Sequence, residues 1–402
     1  MSALDIIGDD LKTELPGGET VRFTYLDYAA SAPCVRAAAE AVAELLPRYG
    51  SVHRGTGVRS QTSTVAYELA RDVVAEFVGA RPGDEVIFTR NTTDSLNLLA
   101  RALPGGTRTI LFEGEHHANL LPWPDPVRLP APSSPEQALA AVSAVIDERC
   151  VLAVTGASNV TGEIWPVREL ADIAHASGAR VVVDAAQLAP HRPVGLDDLG
   201  ADYLAFSGHK LYAPFGAGVL AGRADWLDAA EPYLYGGGAS ATVGDRPGDL
   251  TWAVGPARHE GGTPNLLGAA AIAAVCAALL VADRDALHRR EQDLLARLRD
   301  GLDGVPEQSL FGPDHPRVGI VSLALGRHDP ARIAHRLGRE HGIGVRAGQF
   351  CAHPLVRRLL DADRADGCTA PGAGLLRASF GLGSTTEDID RFTGALADVL
   401  RS

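Results

Sequence analysis

The middle of the chain alternates short, nearly unbroken apolar runs with longer segments of helical spacing. The runs are EVIFT (85–89), TILFE (109–113), VLAVT (151–155), RVVVDA (180–185), DYLAFS (202–207) and GVLAG (218–222). Between them, segments such as TTDSLNLLARAL and PVRELADIAHASG repeat apolar residues every three or four positions. Strands without polar alternation need cover on both faces, and crossover helices supply it, so the pattern predicts an α/β fold with a mostly parallel sheet. In such sheets ligands sit beyond the carboxyl ends of the strands.

Farther on the pattern changes. A long helical stretch over about 266–303 reads as a connecting helix. After it come IVSLALG (320–326), the helical DPARIAHRLGREHG, IGVRAGQF, HPLVRRLLDAD and LLRASFG (375–381). A last helix is announced by Thr385 three residues before Asp388, a capping pattern. These predict a smaller α+β domain. The division is a large domain over 21–265, and a small one made of the leader 1–20 and residues 266–402. Segment 362–374, ADRADGCTAPGAG, reads as a loop.

A chain of 402 residues is long enough for two such units. Its formal net charge of -13 argues against a nucleic-acid partner, since phosphate contacts need basic excess. No apolar run reaches membrane-spanning length, and the acidic start lacks a signal-peptide pattern, so a cytoplasmic protein is expected. Cys34, Cys150, Cys276, Cys351 and Cys368 are odd in number and scattered, which predicts free thiols in a reducing compartment and no metal site.

Composition sharpens one position. The chain has two lysines, Lys12 and Lys210, among 37 basic residues. Lys12 lies in a polar leader, but Lys210 follows an apolar strand, where a charge is costly to bury. A neutral amine can bond covalently to an aldehyde; a guanidinium, always protonated, cannot. Asp184 ends another apolar strand. Pyridoxal 5'-phosphate (PLP) needs a carboxylate at its ring nitrogen and a lysine at its aldehyde, and two neighbouring strand ends supply both. Thr92 and Thr93 open a helix after a strand, where free N–H groups and hydroxyls suit a phosphate; taken alone they read as ordinary capping residues. His116 and His117 follow TILFE, with no further ligand at metal spacing. Cys351 stands before a helix beginning near Pro354, a place where a thiol can be nucleophilic, although most free cysteines are inert.

Ten stretches in order carry a resemblance from Tyr25 nearly to the C-terminus: YLDYAASAP (25–33), SVHRGTG (51–57), TRNTTDSLNL (89–98), EHHANLLPW (115–123), SNVTGEIWPV (158–167), VVDAAQ (182–187), FSGHKLYAPFGAGVL (206–220), HEGGTPN (259–265), GVRAGQFCAHPL (344–355) and LRASFGLGSTTEDID (376–390). The chain resembles the class V aminotransferase family, in particular group II (SUF-type) cysteine desulfurases and selenocysteine lyases. The resemblance implies fold type I of PLP-dependent transferases, with a mostly parallel sheet of the seven-stranded type and a smaller α+β C-terminal domain. It implies that Lys210 bonds the cofactor and shuttles protons. Asp184 then meets the ring nitrogen, Gln187 the ring's phenolic oxygen, and His116 the ring face. Thr93, Ser207 and His209, with Thr92 beside them, bind phosphate. Thr263 reaches the phosphate of the other subunit, implying a homodimer with shared sites. Asn159 and Arg377 hold the substrate carboxylate, Arg54 and Arg346 lie nearby, and Cys351 receives sulfur as a persulfide before it passes to an acceptor protein or thiol.

The expected activity is conversion of L-cysteine to L-alanine with sulfur transfer to Cys351. Selenocysteine lyase and a PLP-dependent C–S lyase or epimerase of specialised metabolism are the alternatives, and a non-catalytic paralogue would have no physical reason to keep a buried lysine. The chain departs from the family at Tyr28, usually a small or amide residue, and in the longer segment between Cys351 and Arg377. Those departures bear on substrate and acceptor.

Overall fold

Seven strands build the central sheet of the computed structural model, which describes residues 2–246, 248–305, 309–310, 315–365 and 374–402. They are β1 (Asp84–Thr89), β2 (Arg108–Phe112), β3 (Pro126–Leu129), β4 (Cys150–Thr155), β5 (Arg180–Asp184), β6 (Tyr203–Ser207) and β7 (Gly218–Arg223), in spatial order β1-β7-β6-β5-β4-β2-β3. β7 is antiparallel to both neighbours, and the remaining pairs are parallel. β1 therefore runs in the same sense as β6. The carboxyl ends of β1, β2, β4, β5 and β6 all open on one edge. The short edge strand β3 was not foreseen, because prolines flank it and a proline starts it.

Alternation within the runs sorts the two faces. Val86, Phe88, Leu152, Val154, Val181, Val183, Leu204 and Phe206 enter one apolar cluster, while Ile87, Val151, Ala153, Val182, Tyr203 and Ala205 enter another. Each buried Val or Leu contributes about 1.5–3 kcal/mol, so both faces bind their helical layers firmly. Helices Arg36–Leu45 and Val58–Phe77 pack with helix Leu266–Leu280 on the first face.

The stretch 266–303 is not one helix. It breaks into Leu266–Leu280 and Arg284–Leu302, bent by 91°. Asp283 caps the second by accepting a hydrogen bond from Ala286 N at 2.9 Å, and its short polar side chain favours that break over continuation. Among the described residues no single helix is long and apolar enough to cross a membrane.

The second helix joins a separate cluster with Leu26, Val321, Leu376, Phe380 and Phe392. There β8 (Ser309–Leu310), β9 (Ile320–Ala324), β10 (Arg346–Gly348) and β11 (Leu375–Ser379) form a sheet in the order β8-β9-β11-β10. The Thr385–Asp388 capping box forms, with bonds of 2.9 and 3.3 Å. The leader divides: Ile7 N donates to Cys34 O at 2.9 Å, while Lys12–Glu14 pairs with Thr20–Arg22. Helix His353–Ala365 overruns the start of the expected loop 362–374, because no glycine or proline interrupts helical propagation before Gly367. Residues 366–373 of that segment, Cys368 included, lie outside the described residues.

Candidate active site

A cavity of about 300 Å³ opens at the carboxyl edge of the sheet, and Thr92, Thr93, His116, Asn159, Asp184, Ser207, His209, Lys210, Arg346, Cys351 and Arg377 line it. Five strand ends and two elements of the second sheet deliver these side chains.

The helix Thr92–Ala102 starts directly from β1. Asn91 caps it by accepting from Asp94 N at 3.0 Å. Thr92 N donates to Ser207 Oγ at 2.8 Å, and the two hydroxyls lie 2.8 Å apart, which locks the helix start to the end of β6. A side chain at Gly218 would come within 2.5 Å of Asn91 Cα, so this approach requires glycine. Thr93 is exposed beside it, and His209 follows from β6, its imidazole pushed toward the neutral form by burial and then by Lys210.

Lys210 lies one short turn past β6, its N–H on Ser207 O at 3.2 Å. Burial lowers its amine to about 8; Asp184 and Cys351 pull it up and Arg377 pushes it down. About a tenth is then uncharged at pH 7, far more than for an ordinary lysine, and the uncharged amine is the nucleophilic form. Asp184, 4% exposed, ends β5 and accepts from Ala186 N at 2.9 Å. Burial raises its carboxyl, against the pull of Lys210.

His116 follows β2 and caps the short helix His117–Leu120, its Nδ1 accepting from Ala118 N at 3.1 Å. Burial first, then Lys210, lowers its imidazole to about 3. It therefore presents a neutral flat ring. Glu115, beside it, was missed in the sequence. It is buried, bonded by Asn119 Nδ2 at 2.8 Å and Thr155 N at 3.1 Å, and burial with Asp184 nearby raises it to about 8.

On the opposite wall Arg377, on β11, is 2% exposed. Its Nη1 donates to Asn159 O at 2.9 Å and its Nη2 to Asp27 Oδ1 at 3.0 Å. Among the described residues its Nε has no partner, and the two bonds use two of the five guanidinium N–H donors. The guanidinium also lies 4.6 Å from the Phe350 ring centre. Arg346 reaches the same Asp27 carboxylate at 3.0 Å. Asp27 and Phe350 organise the wall, yet neither was singled out, although both stood inside the quoted motifs YLDYAASAP and GVRAGQFCAHPL.

Cys351 is exposed to the cavity on a backbone held in the left-handed region, with φ of 50° at Phe350 and 54° at Cys351. Asn159 Nδ2 donates to Phe350 O at 2.8 Å, and His117 N donates to Cys351 O at 2.7 Å. Such a conformation costs of order 1–3 kcal/mol per residue, and these two bonds help to hold it.

Gln187, Arg54 and Thr263 do not line this cavity. Gln187 is buried with its Nε2 on Ala29 O at 2.8 Å, so it braces a wall residue. Arg54 lines a separate cavity of about 490 Å³, together with Gly262 and Pro264 on either side of Thr263. Tyr28 points away into the core between Tyr25 and Tyr212, where burial lifts its phenol to about 12. Among the described residues no cluster of His, Cys, Asp or Glu could hold a metal ion.

Residues 24–392 match the Aminotransferase class-V family. A cysteine desulfurase of Pectobacterium atrosepticum is 36% identical over 392 residues, covering 94% of this chain and 93% of the relative. A cysteine desulfurase of Klebsiella pneumoniae is 37% identical over 387 residues, covering 92% of each. Among solved structures, the apo cysteine desulfurase of Thermococcus onnurineus superposes with a TM-score of 0.85 at 32% identity over all of both chains. The Escherichia coli cysteine desulfurase CsdA gives 0.82 at 31% identity, covering 96% of this chain and 97% of that one.

Proposed function

The chain belongs to the class V aminotransferase family, and from that premise we propose that it is a PLP-dependent cysteine desulfurase, converting L-cysteine to L-alanine with transfer of sulfur to Cys351. The observation that carries this reading is the convergence of Lys210, Asp184, Arg377 and Cys351 on one cavity.

The donor set fits the cofactor. Thr92, Thr93, Ser207 and His209 gather hydroxyls and ring nitrogens at a helix start, where a phosphate is favoured. Asp184 would meet the ring nitrogen and His116 the ring face, with Lys210 at the aldehyde. Bound there, the cofactor would supply an electron sink for the charge left when a Cα proton departs.

The chain's own residues do the rest. Arg377 and Asn159 hold the substrate carboxylate, and a planar guanidinium suits that shape. Lys210 removes the Cα proton and returns protons as the reaction proceeds. The Cys351 thiolate attacks the substrate sulfur: an S–S bond forms, the Cβ–S bond breaks, and its electron pair stays with carbon, which is protonated to give alanine. The persulfide on Cys351 then passes to an acceptor thiol.

The test is a product assay with cysteine and a thiol reductant, reading alanine and released sulfide together. Equal amounts of both are expected. Turnover with selenocysteine alone would favour selenocysteine lyase, and pyruvate or the D-isomer in place of alanine would favour the elimination or epimerase reading.

The second cavity supports a homodimer. Arg54 and the Thr263 loop stand apart from Lys210, and the exposed Val58, Val65, Leu69 and Val254 offer apolar area nearby for a second copy. A cytoplasmic setting is part of the same reading, supported by free thiols at Cys34, Cys150, Cys276 and Cys351.

Arg377→Ala tests the carboxylate clamp. A charged hydrogen bond is worth about 1.5–3 kcal/mol, so the KM for cysteine should rise at least about tenfold with cofactor absorbance retained. Arg377→Lys, which keeps a charge near Asp27, should recover folding more than affinity. Unchanged kinetics in the alanine variant would move the clamp to Arg346.

A further inference from the structure

Arg346 and Arg377 stand directly opposite each other on the antiparallel strands β10 and β11. Like charges in that position repel and destabilise a sheet. Among the described residues, Asp27 answers both. Its Oδ1 accepts from Arg377 Nη2 at 3.0 Å, and its Oδ2 accepts from Arg346 Nε at 3.0 Å. Two guanidinium groups thus share one carboxylate, and these three groups keep one positive charge in excess. Arg346 is half exposed, so water screens it, but the Arg377 side chain is 3% exposed. Burial disfavours the Arg377 charge; Asp27 is first among the groups that favour it, and Arg346 opposes.

The backbone fixes Asp27 in turn. Ser379 N, two residues along β11 from Arg377, donates to Leu26 O at 2.8 Å, and Tyr28 N donates to Ser379 O at 3.3 Å. The same segment runs on toward the amine. Ala29 and Ala30 line the site cavity, and Ala32 N donates to His209 O at 2.8 Å, one residue before Lys210. Asp27 is not among the described residues that line the cavity, so it acts on a ligand there only through the arginines.

Resting on the proposed function, in which Arg377 receives the substrate carboxylate, we propose that Asp27 is a positioning residue for that clamp. It aims Arg377 from a segment tied to the Lys210 turn, which sets the distance between the bound carboxylate and the amine. It also cancels one of two positive charges, so the wall is matched to a ligand that brings one carboxylate. A neutral residue here would leave two facing guanidinium groups to part, and the clamp would lose its aim.

The holoenzyme and two variants test this, with L-alanine as the probe. Alanine carries the carboxylate and no sulfur, so a titration followed by cofactor absorbance reads binding without turnover. Asp27→Asn keeps the shape and removes the charge; it should weaken alanine binding and raise the KM for cysteine about tenfold, with kcat changed less. The double variant Asp27→Asn, Arg346→Gln removes one charge of each sign and should recover most of that loss, which a merely structural Asp27 would not allow. Alanine binding in Asp27→Asn equal to wild type, or a double variant that binds no tighter than the single one, overturns the proposal. Should Asp27→Asn fail to fold, the double variant decides: alanine binding near the wild-type level supports the charge balance, and weak binding or a second failure to fold overturns it. A wild-type cofactor spectrum that responds to neither alanine nor cysteine would instead sink the proposed function, and this inference with it.

Discussion

Lys210→Ala is expected to abolish turnover while the protein stays folded and still binds free PLP. Loss of the proton-transfer role alone should cost roughly 10²–10⁴-fold, and loss of the covalent link adds to it. Folding should survive because a buried amine that burial already pulls down to about 8 contributes little that alanine removes. The Thr92–Ser207 lock and the backbone of the turn are untouched by the change. In the wild-type protein, borohydride treatment followed by mass spectrometry should place the reduced cofactor on Lys210. Finding it on Lys12, or on neither lysine, would remove the assignment.

Cys351→Ser should end sulfur release from cysteine, a loss of at least about a hundredfold, since a hydroxyl stays protonated near neutral pH and is a poor acceptor of sulfur. The cofactor spectrum and its change on adding cysteine should persist, because neither needs a thiol. In the wild-type protein one added sulfur should appear on Cys351 after cysteine and before any acceptor. Buried Cys150 and Cys276 should carry none; burial pushes the Cys276 thiol up and keeps it inert. Loss of cysteine activity with retained selenocysteine activity would point to the lyase, since selenolate leaves more readily. Full activity of the variant on cysteine would discard the persulfide step and leave the chemistry at Lys210 standing.

Much of the sheet was readable because β5 and β6 are apolar on both faces, and only burial in a covered sheet suits that pattern. Asp184 and Lys210 were readable for the same reason: a charged residue at the end of such a strand has few places to go but a cavity. Asp27 and Glu115 were harder. Asp27 earns its place through two arginines far along the chain, Arg346 and Arg377, and long-range pairing leaves no local pattern. Glu115 reads as an ordinary acid after a strand until the fold surrounds it. The break at Val281–Asp283 was hidden by strong helical composition on both sides, which masks a short capping residue. Arg54 and Thr263 sit where one chain alone leaves them apart from Lys210.

The latched backbone at Phe350 and Cys351 sets how sulfur can travel. With both carbonyls bonded, one to Asn159 and one to His117, swinging the thiol across the cavity would require both bonds to break. What remains free is rotation about a single side-chain bond, with three staggered positions for Sγ. Such a turn takes picoseconds to nanoseconds at an exposed side chain, against nanoseconds to microseconds for a loop. On the proposed role of Cys351, the acceptor thiol would have to come to within one bond's rotation of Sγ, which calls for a long, slender segment on the acceptor.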